Sequence, residues 1–195
     1  RPSALHSVMH DNISHIRSRI HVDEIRANFH SAAKLELEAR FGWLDGQVVD
    51  VIDGDSLRVI DAKATDKPPI EVRLHGIDAP EGCQAGGPEA REALRAHVAG
   101  KSVTLVTRGK DDYQRTLAVL EVDGVDINER LVAEGHAWSL RFKWDKGPYV
   151  DKERVAKTLK RGLHATPGAM LPADFRRQHG RCEGPPTAPA SGATS

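Results

Sequence analysis

The sequence predicts an α+β protein with one main domain at residues 46–180, a helical extension at 1–45 and a disordered tail at 181–195. Two observations predict this class. Five short segments alternate apolar and polar residues as strands do, and about three helical segments are inserted after the third strand or follow the last one. The chain has 195 residues, of which 39% are apolar, so it can build a hydrophobic core.

The N-terminal extension is predicted to contain an amphipathic helix. Apolar residues recur at every fourth position from Ile25 to Phe41, with charged residues between them. The apolar face could pack on the main domain or on a second copy of the chain, and the sequence leaves both possibilities open. The histidines of this extension are irregularly spaced, so we interpret them as surface residues and not as metal ligands.

Three strands are predicted over residues 47–74. The turn between the first two is Asp53-Gly54-Asp55-Ser56, where Gly54 is expected to supply a backbone conformation that other residues disfavour. Because Asp-Gly is a very common hairpin signal, this turn alone favours an ordinary hairpin over a metal site. The third strand begins at Ile70, after an exposed loop at 63–69.

The second half of the chain is predicted to add two strands and three helices. In chain order these are a helix at 88–99, strands at 103–106 and 117–122, and helices at 126–135 and 150–161. A capping box at 126–129 begins the second helix, and Gly100, Gly135 and Gly162 mark the helix ends. The tail beyond Cys182 is rich in Pro, Ala, Gly, Ser and Thr and cannot bury enough apolar surface to become ordered.

Charged residues gather where the third strand ends. Arg73 lies on the strand, and Asp78 and Glu81 follow in a turn that Pro80 makes rigid. Asp55 lies at the end of the preceding hairpin. The sequence therefore predicts that acids from two turns and an arginine meet at one end of the strands.

Three segments together resemble the staphylococcal nuclease (thermonuclease) family. They are Val51-x-Asp53-Gly54-Asp55-Ser56, Arg73-Leu74-x-Gly76-Ile77-Asp78-Ala79-Pro80-Glu81 and Asp111-Asp112-Tyr113-Gln114-Arg115, and the similarity covers roughly residues 47–163. This resemblance implies a five-stranded Greek-key β-barrel of the OB type.

The clustered oxygens indicate a site for a hard cation. Asp55, Asp78 and the Ala79 carbonyl are predicted ligands, and carboxylate and carbonyl oxygens are what Ca²⁺ prefers in proteins. Asp53 is interpreted as an acid that orients the water ligands of the ion. The family resemblance implies the same ligand set and Ca²⁺ as the cofactor.

The remaining charged groups fit hydrolysis of a phosphodiester. Glu81 is placed to accept a proton from the attacking water or to position that water. Arg73 and Arg115 carry planar guanidinium groups that can bind phosphate oxygens bidentately. The resemblance implies the same roles, whereas Arg115 by itself could equally pair with Asp111 or Asp112.

Further residues are predicted to bind the polynucleotide. Tyr113 matches a family tyrosine that lies against the nucleoside, although core packing is an alternative for it. Arg141 and Lys143 occur about where family members carry tyrosines that contact bases, and they could instead strengthen contacts to the phosphates. Gln114 replaces a common glycine, which leaves the orientation of Arg115 open.

Two functional hypotheses follow. The first is a calcium-dependent nuclease that cuts both DNA and RNA and leaves 3′-phosphates, as the family resemblance implies. The second is a nucleic-acid-binding or protein-interaction module on the same fold. A basic region at 141–181, with eleven Lys or Arg against four Asp or Glu, fits a polyanionic partner in both cases.

The sequence also bears on the environment of the protein. No segment is long and apolar enough to cross a membrane, and we expect a monomer. Cys83 and Cys182 could form a disulfide or remain two free thiols. Secretion is usual among bacterial family members, so we expect a secreted or periplasmic location, with a cytoplasmic one as the alternative.

Overall fold

A computed structural model of the chain describes residues 42–180 and residue 182. The amphipathic helix predicted for the N-terminal extension lies outside these residues. The tail predicted to be disordered also lies outside them, except for Cys182. None of the helices in the described part of the chain is long and apolar enough to span a membrane.

Five long strands and three short ones make up the sheets. In chain order they are β1 (Trp43–Val51), β2 (Ser56–Asp61), β3 (Ile70–Leu74), β4 (Ile77–Asp78), β5 (Ser102–Lys110), β6 (Thr116–Val122), β7 (Val125–Asp126) and β8 (Trp138–Ser139). The five long strands form a mixed sheet in the order β3-β2-β1-β5-β6, and a parallel pairing of β3 with β6 closes it into a barrel. The predicted five-stranded OB-type barrel is therefore confirmed.

The described chain contains four α-helices and one short 3₁₀-helix. They are α1 (Gly87–Val98), α2 (Ile127–Glu134), α3 (Val150–Thr158), the 3₁₀-helix (Gly162–Ala165) and α4 (Pro172–His179). The N-cap half of the predicted capping box is present, because the Asp126 side chain accepts a hydrogen bond from the backbone N–H of Glu129 at 2.9 Å. The Glu129 side chain pairs with Lys152 at 2.7 Å. The third predicted helix ends a few residues early, and α4 is an element that the sequence pattern did not predict.

The core fills the barrel and the space under α1 and α2. Alternate residues of the strands point inward, among them Leu57, Val72 and Leu120, and each is buried. The buried amide of Asn128 on α2 ties this helix to the barrel: its oxygen accepts from the Leu120 N–H at 3.1 Å, and its nitrogen donates to the His75 carbonyl at 2.9 Å. The strand exit that carries the predicted site is thus fixed to the barrel.

Glycine at position 54 is required for space. Its φ is not positive, so the prediction of an unusual backbone conformation is wrong. A Cβ atom there would lie 2.6 Å from the Ala90 Cβ and 2.7 Å from the Ala79 Cβ, closer than carbon atoms can approach. The missing side chain lets the hairpin turn pack directly against the Ala79 turn and α1.

A buried carboxylate holds the segment that begins with β8, the strand that pairs with β4 beside the barrel. Glu153 of α3 accepts hydrogen bonds from the Ser139 backbone N–H and from the Arg141 guanidinium, and it also pairs with Lys157. Burial alone would raise the pKa of Glu153, but the hydrogen bonds from Lys157 and Arg141 outweigh burial and hold the pKa below its usual value.

We predict that Glu153→Gln lowers the free energy of unfolding by about 1 to 3 kcal/mol at neutral pH, because hydrogen bonds to a charged acceptor are lost. The pKa of Glu153 is lower in the folded chain than in the unfolded one. Its contribution is therefore present above the unfolded pKa and is lost as the pH falls through the folded pKa. Urea unfolding of both proteins at pH 7 and at acid pH tests this.

The matched control is Glu92→Gln on α1, whose side chain is 67% exposed and pairs only loosely with Arg95. We expect a change within about 0.5 kcal/mol for it. Equal effects of the two substitutions, or a Glu153 effect that does not shrink with acidification, would contradict the role assigned to the buried carboxylate.

Candidate active site

Two aspartates from different turns share one arginine. Asp55 follows the turn between β1 and β2, Asp78 ends β4, and Arg73 lies on β3 between them. The Arg73 Nη1 atom pairs with Asp55 Oδ1, and its Nη2 atom lies 3.1 Å from Asp78 Oδ1. The structure thus brings these three predicted residues together, and all three side chains are largely buried.

Backbone contacts fix the Asp55 carboxylate. Its Oδ2 atom accepts from the Ala79 N–H at 2.6 Å, and Ser56 Oγ donates to its Oδ1 atom at 3.1 Å. The Asp53 side chain accepts a hydrogen bond from the Asp55 N–H at 3.0 Å, so Asp53 stabilises the turn between β1 and β2. The Ala79 turn is therefore attached directly to the hairpin turn.

The crowded carboxylates disturb one another's protonation. Burial and then the charge of Asp55 raise the pKa of Asp53 to about 7. The pKa of Asp78 is also raised, again by burial and by Asp55, although Arg73 and Arg176 oppose the shift. Burial and mutual repulsion thus disfavour the charged forms of these two acids, and a nearby cation would favour them.

The donor set fits a hard divalent cation in its chemistry. Asp55, Asp78 and the Ala79 carbonyl are oxygen donors, which suit Ca²⁺ or Mg²⁺ better than softer metals. In the described part of the chain no three His, Cys, Asp or Glu side chains form a ready-made metal cluster. In this arrangement the guanidinium groups of Arg73 and Arg176 contact the two aspartates.

Glu81, the predicted base, faces the same space. Its backbone N–H donates to the side-chain oxygen of Gln84 at 3.2 Å, which fixes the start of the loop that follows. Its Oε1 atom accepts from Arg176 Nη1 at 2.7 Å. No pattern in the sequence pointed to Arg176. It lies 95 residues after Glu81 in the chain, on helix α4, which was not predicted.

Arg115 is oriented by Asp111. Its Nε atom donates to Asp111 Oδ2 at 2.8 Å, and the backbone N–H groups of Arg115 and Tyr113 donate to Asp111 Oδ1. Gln114 has a φ of 65°, so it keeps the left-handed conformation that a glycine adopts easily. The alternative of a pair with Asp111 is thus realised, and the pair is made through the Nε atom of Arg115.

One cavity collects most of these side chains. It has a volume of about 370 Å³, and it is lined by Asp53, Asp55, Ser56, Arg73, Ala79, Pro80, Glu81, Tyr113, Arg115, Arg176 and Cys182. Tyr113 is mostly exposed and lies under the Arg115 guanidinium, 5.6 Å from it, so its position is not that of a core residue. A larger cavity of about 640 Å³ is lined by none of the predicted site residues.

Arg141 and Lys143, the two basic residues after β8 that were predicted to bind the polynucleotide, do not line the cavity of about 370 Å³. Arg141 is held in the ion pair with buried Glu153, a structural position. Lys143 lies over the exposed Phe142 ring at 5.4 Å, and the neighbouring Trp144 is 92% exposed. Phe142 is exposed and could offer the base contact that Phe142 or Trp138 was considered for, whereas Trp138 is buried and the exposed Trp144 was not considered.

One family model and several known proteins are similar to this chain. Residues 71–166 match the family model described as staphylococcal nuclease homologue. A Haemophilus influenzae protein named as an uncharacterized endonuclease is 36% identical over 132 residues, which cover 68% of this chain and 72% of that protein.

Two further relatives extend the match. The Shigella flexneri protein named micrococcal nuclease is 35% identical over 148 residues, covering 69% of this chain and 83% of its own length. Protein ParB of Escherichia coli is 36% identical over 149 residues, covering 69% and 80% respectively. The motif residues, the barrel and these matches together place the chain in the staphylococcal nuclease family, as a hydrolase of the nuclease class.

Proposed function

We propose that this protein is a calcium-dependent nuclease that hydrolyses both DNA and RNA and leaves 3′-phosphates on its products. The observation that carries the proposal is the single cavity in which Asp55, Arg73, Glu81 and Arg115 meet, with Asp78 bound to the same arginine. The names of the Haemophilus and Shigella relatives support nuclease activity.

The reaction needs a proton acceptor and compensation of negative charge on phosphorus. Glu81 accepts one proton of the attacking water as the water oxygen bonds to phosphorus. The bond from phosphorus to the 5′ oxygen breaks, the released 5′ oxygen takes up a proton from solvent water, and the phosphate stays on the 3′ side. Arg73 and Arg115 donate to the non-bridging oxygens. Asp111 already orients Arg115 through its Nε atom, so little reorganisation of this arginine is needed when substrate binds.

Asp55, Asp78 and the Ala79 carbonyl would hold the divalent cation. When bound, the ion supplies further positive charge against the developing negative charge of the phosphate. The buried carboxylates, with their raised pKa values at Asp53 and Asp78, support a site that is completed by a cation.

A secreted or periplasmic location remains our prediction. The Cys83–Cys182 disulfide is formed in the structure and supports it, because disulfides persist in oxidising compartments. Two free thiols in protein taken from its native source would contradict this location.

We predict that the purified chain degrades plasmid DNA and RNA in the presence of Ca²⁺ and that EDTA abolishes the degradation, because the acids cannot support the reaction without a cation. The products should accept a labelled phosphate at their 5′ ends without prior dephosphorylation, since the new 5′ ends carry hydroxyl groups. Degradation that persists in EDTA would contradict metal dependence, and 5′-phosphorylated products would contradict the direction of cleavage.

Glu81→Gln should lower kcat by about 10²- to 10⁴-fold, the usual contribution of a general base. The dissociation constant for a short oligonucleotide should change little, because the amide keeps the size of the side chain. Glu89→Gln on exposed α1 surface is the matched control and should leave both quantities unchanged. Equal loss of binding and turnover in Glu81→Gln would indicate a structural role for Glu81.

Asp111→Ala should lower kcat/KM by about 10- to 100-fold, because Arg115 loses the contacts that orient it and small displacements in a site are costly. Asp112→Ala, at the exposed neighbouring position, should behave as the wild type. Steady-state kinetics, with thermal melting to verify folding, make the comparison. Similar activity of the two variants would show that Arg115 needs no support from Asp111.

A further inference from the structure

Arg176 enters the active-site cavity from the helix that sequence analysis missed. Its Nη1 and Nη2 atoms lie 3.3 Å from the two oxygens of Asp78, and Nη1 also donates to Glu81 at 2.7 Å. Its position lies beyond residues 71–166, the segment that matches the family. The cavity wall therefore contains a third guanidinium group beside those of Arg73 and Arg115.

Helix α4 is fastened at both ends to the loop that begins at Glu81. Before the helix, the buried Gln84 side chain donates to the Met170 carbonyl at 2.7 Å while its oxygen accepts from the Glu81 N–H. After the helix, Cys182 is bonded to Cys83. Because both attachments lie within three residues of Glu81, the fold itself sets the distance between Arg176 and the predicted base.

The charges in the cavity indicate what Arg176 does. In this arrangement Arg176 places positive charge beside Asp78 and Glu81. Arg73 places positive charge beside Asp55 and Asp78. A divalent cation held by Asp55 and Asp78 competes with the guanidinium for the same carboxylate oxygens. Arg176 is then a tethered cation in a cavity that accommodates a phosphate, and guanidinium groups bind phosphate bidentately.

We propose that Arg176 is a substrate-binding residue that donates to a backbone phosphate, and that Gln84 and the Cys83–Cys182 disulfide position it. This inference rests on the proposed nuclease function. An autoinhibitory contact, in which Arg176 merely blocks the acids, is the opposing explanation and predicts the opposite sign of the effect.

The first experiment measures binding of a fluorescein-labelled single-stranded DNA oligonucleotide by anisotropy, with Ca²⁺ present, over a range of NaCl concentrations. The full-length Glu81→Gln protein serves as the background so that the DNA stays intact. Adding Arg176→Ala should weaken binding about 10-fold and lower the slope of log K against log salt by about 0.7, the value for one phosphate contact on a single strand. Adding Arg176→Lys should preserve the slope.

The matched control is Arg177→Ala. Arg177 is the neighbouring residue on α4, its side chain is 78% exposed, and it pairs with Asp174. We expect its slope and affinity to match the background protein. An unchanged slope or tighter binding with Arg176→Ala overturns the proposal.

The second experiment is a double-mutant cycle on cleavage by the otherwise unaltered protein. Arg176→Ala should raise KM more than it lowers kcat. Replacing both Cys83 and Cys182 with Ser should raise KM several-fold when Arg176 is present and add nothing when it is Ala, because the tether acts through that residue. Additive effects of the cysteine and Arg176 substitutions would contradict the proposal. Faster cleavage by Arg176→Ala at unchanged KM would also contradict it and would indicate autoinhibition.

The experiments distinguish failure of the proposed nuclease function from failure of the role proposed for Arg176. If the wild-type protein does not cut DNA or RNA in Ca²⁺, the proposed function fails. If it cuts and Arg176→Ala leaves the affinity and slope of the Glu81→Gln background unchanged, the function stands and the role of Arg176 is wrong. Thermal melting of each variant verifies folding. Arg176→Lys keeps the positive charge, so its binding slope is a second, independent test of the phosphate contact.

Discussion

The active site depends on one buried guanidinium group. Arg73 contacts Asp55 and Asp78, and its side chain is only 15% exposed. Burial alone would lower the pKa of Arg73, but the three neighbouring aspartates outweigh burial and raise it, so the group stays charged. Without that charge the two acids would repel one another, and the hairpin turn and the Ala79 turn would not hold their present positions.

A single pattern of strand pairing sets the positions of the other candidate site residues. In the antiparallel pair β2–β3, Arg73 lies opposite Ser56, directly after Asp55. In the parallel pair β3–β6 that closes the barrel, Arg73 lies opposite Leu117, two residues after Arg115. The closure of the barrel therefore brings the Arg115 loop to the acids, and the nearness of Arg73 and Arg115 is a product of the barrel and not of any local motif.

The sequence predicted those parts of the fold whose causes are local. The strands, the capping box at Asp126 and the acid-rich turns each follow from a few neighbouring residues, and Asp55, Asp78 and Glu81 were found in this way. The need for glycine at position 54 was attributed to its backbone conformation, whereas it comes from Ala79 and Ala90, which only tertiary packing brings near. The helix predicted for the N-terminal extension lies outside the described residues and stays a prediction.

Helix α4 shows most clearly why the remainder could not be predicted. It is eight residues long, its N-cap makes no side-chain hydrogen bond, and within it only Pro172 is buried, so no periodic signal marks it. Its stability comes instead from Gln84 and from a disulfide that spans 99 residues, and the sequence left the pairing of the two cysteines open. Both long-range attachments join the ends of α4 to the loop that follows Glu81. A helix that is weak by itself is thus held where its arginine meets the acid proposed to begin the reaction, although this helix lies beyond residues 71–166, the segment that matches the family model.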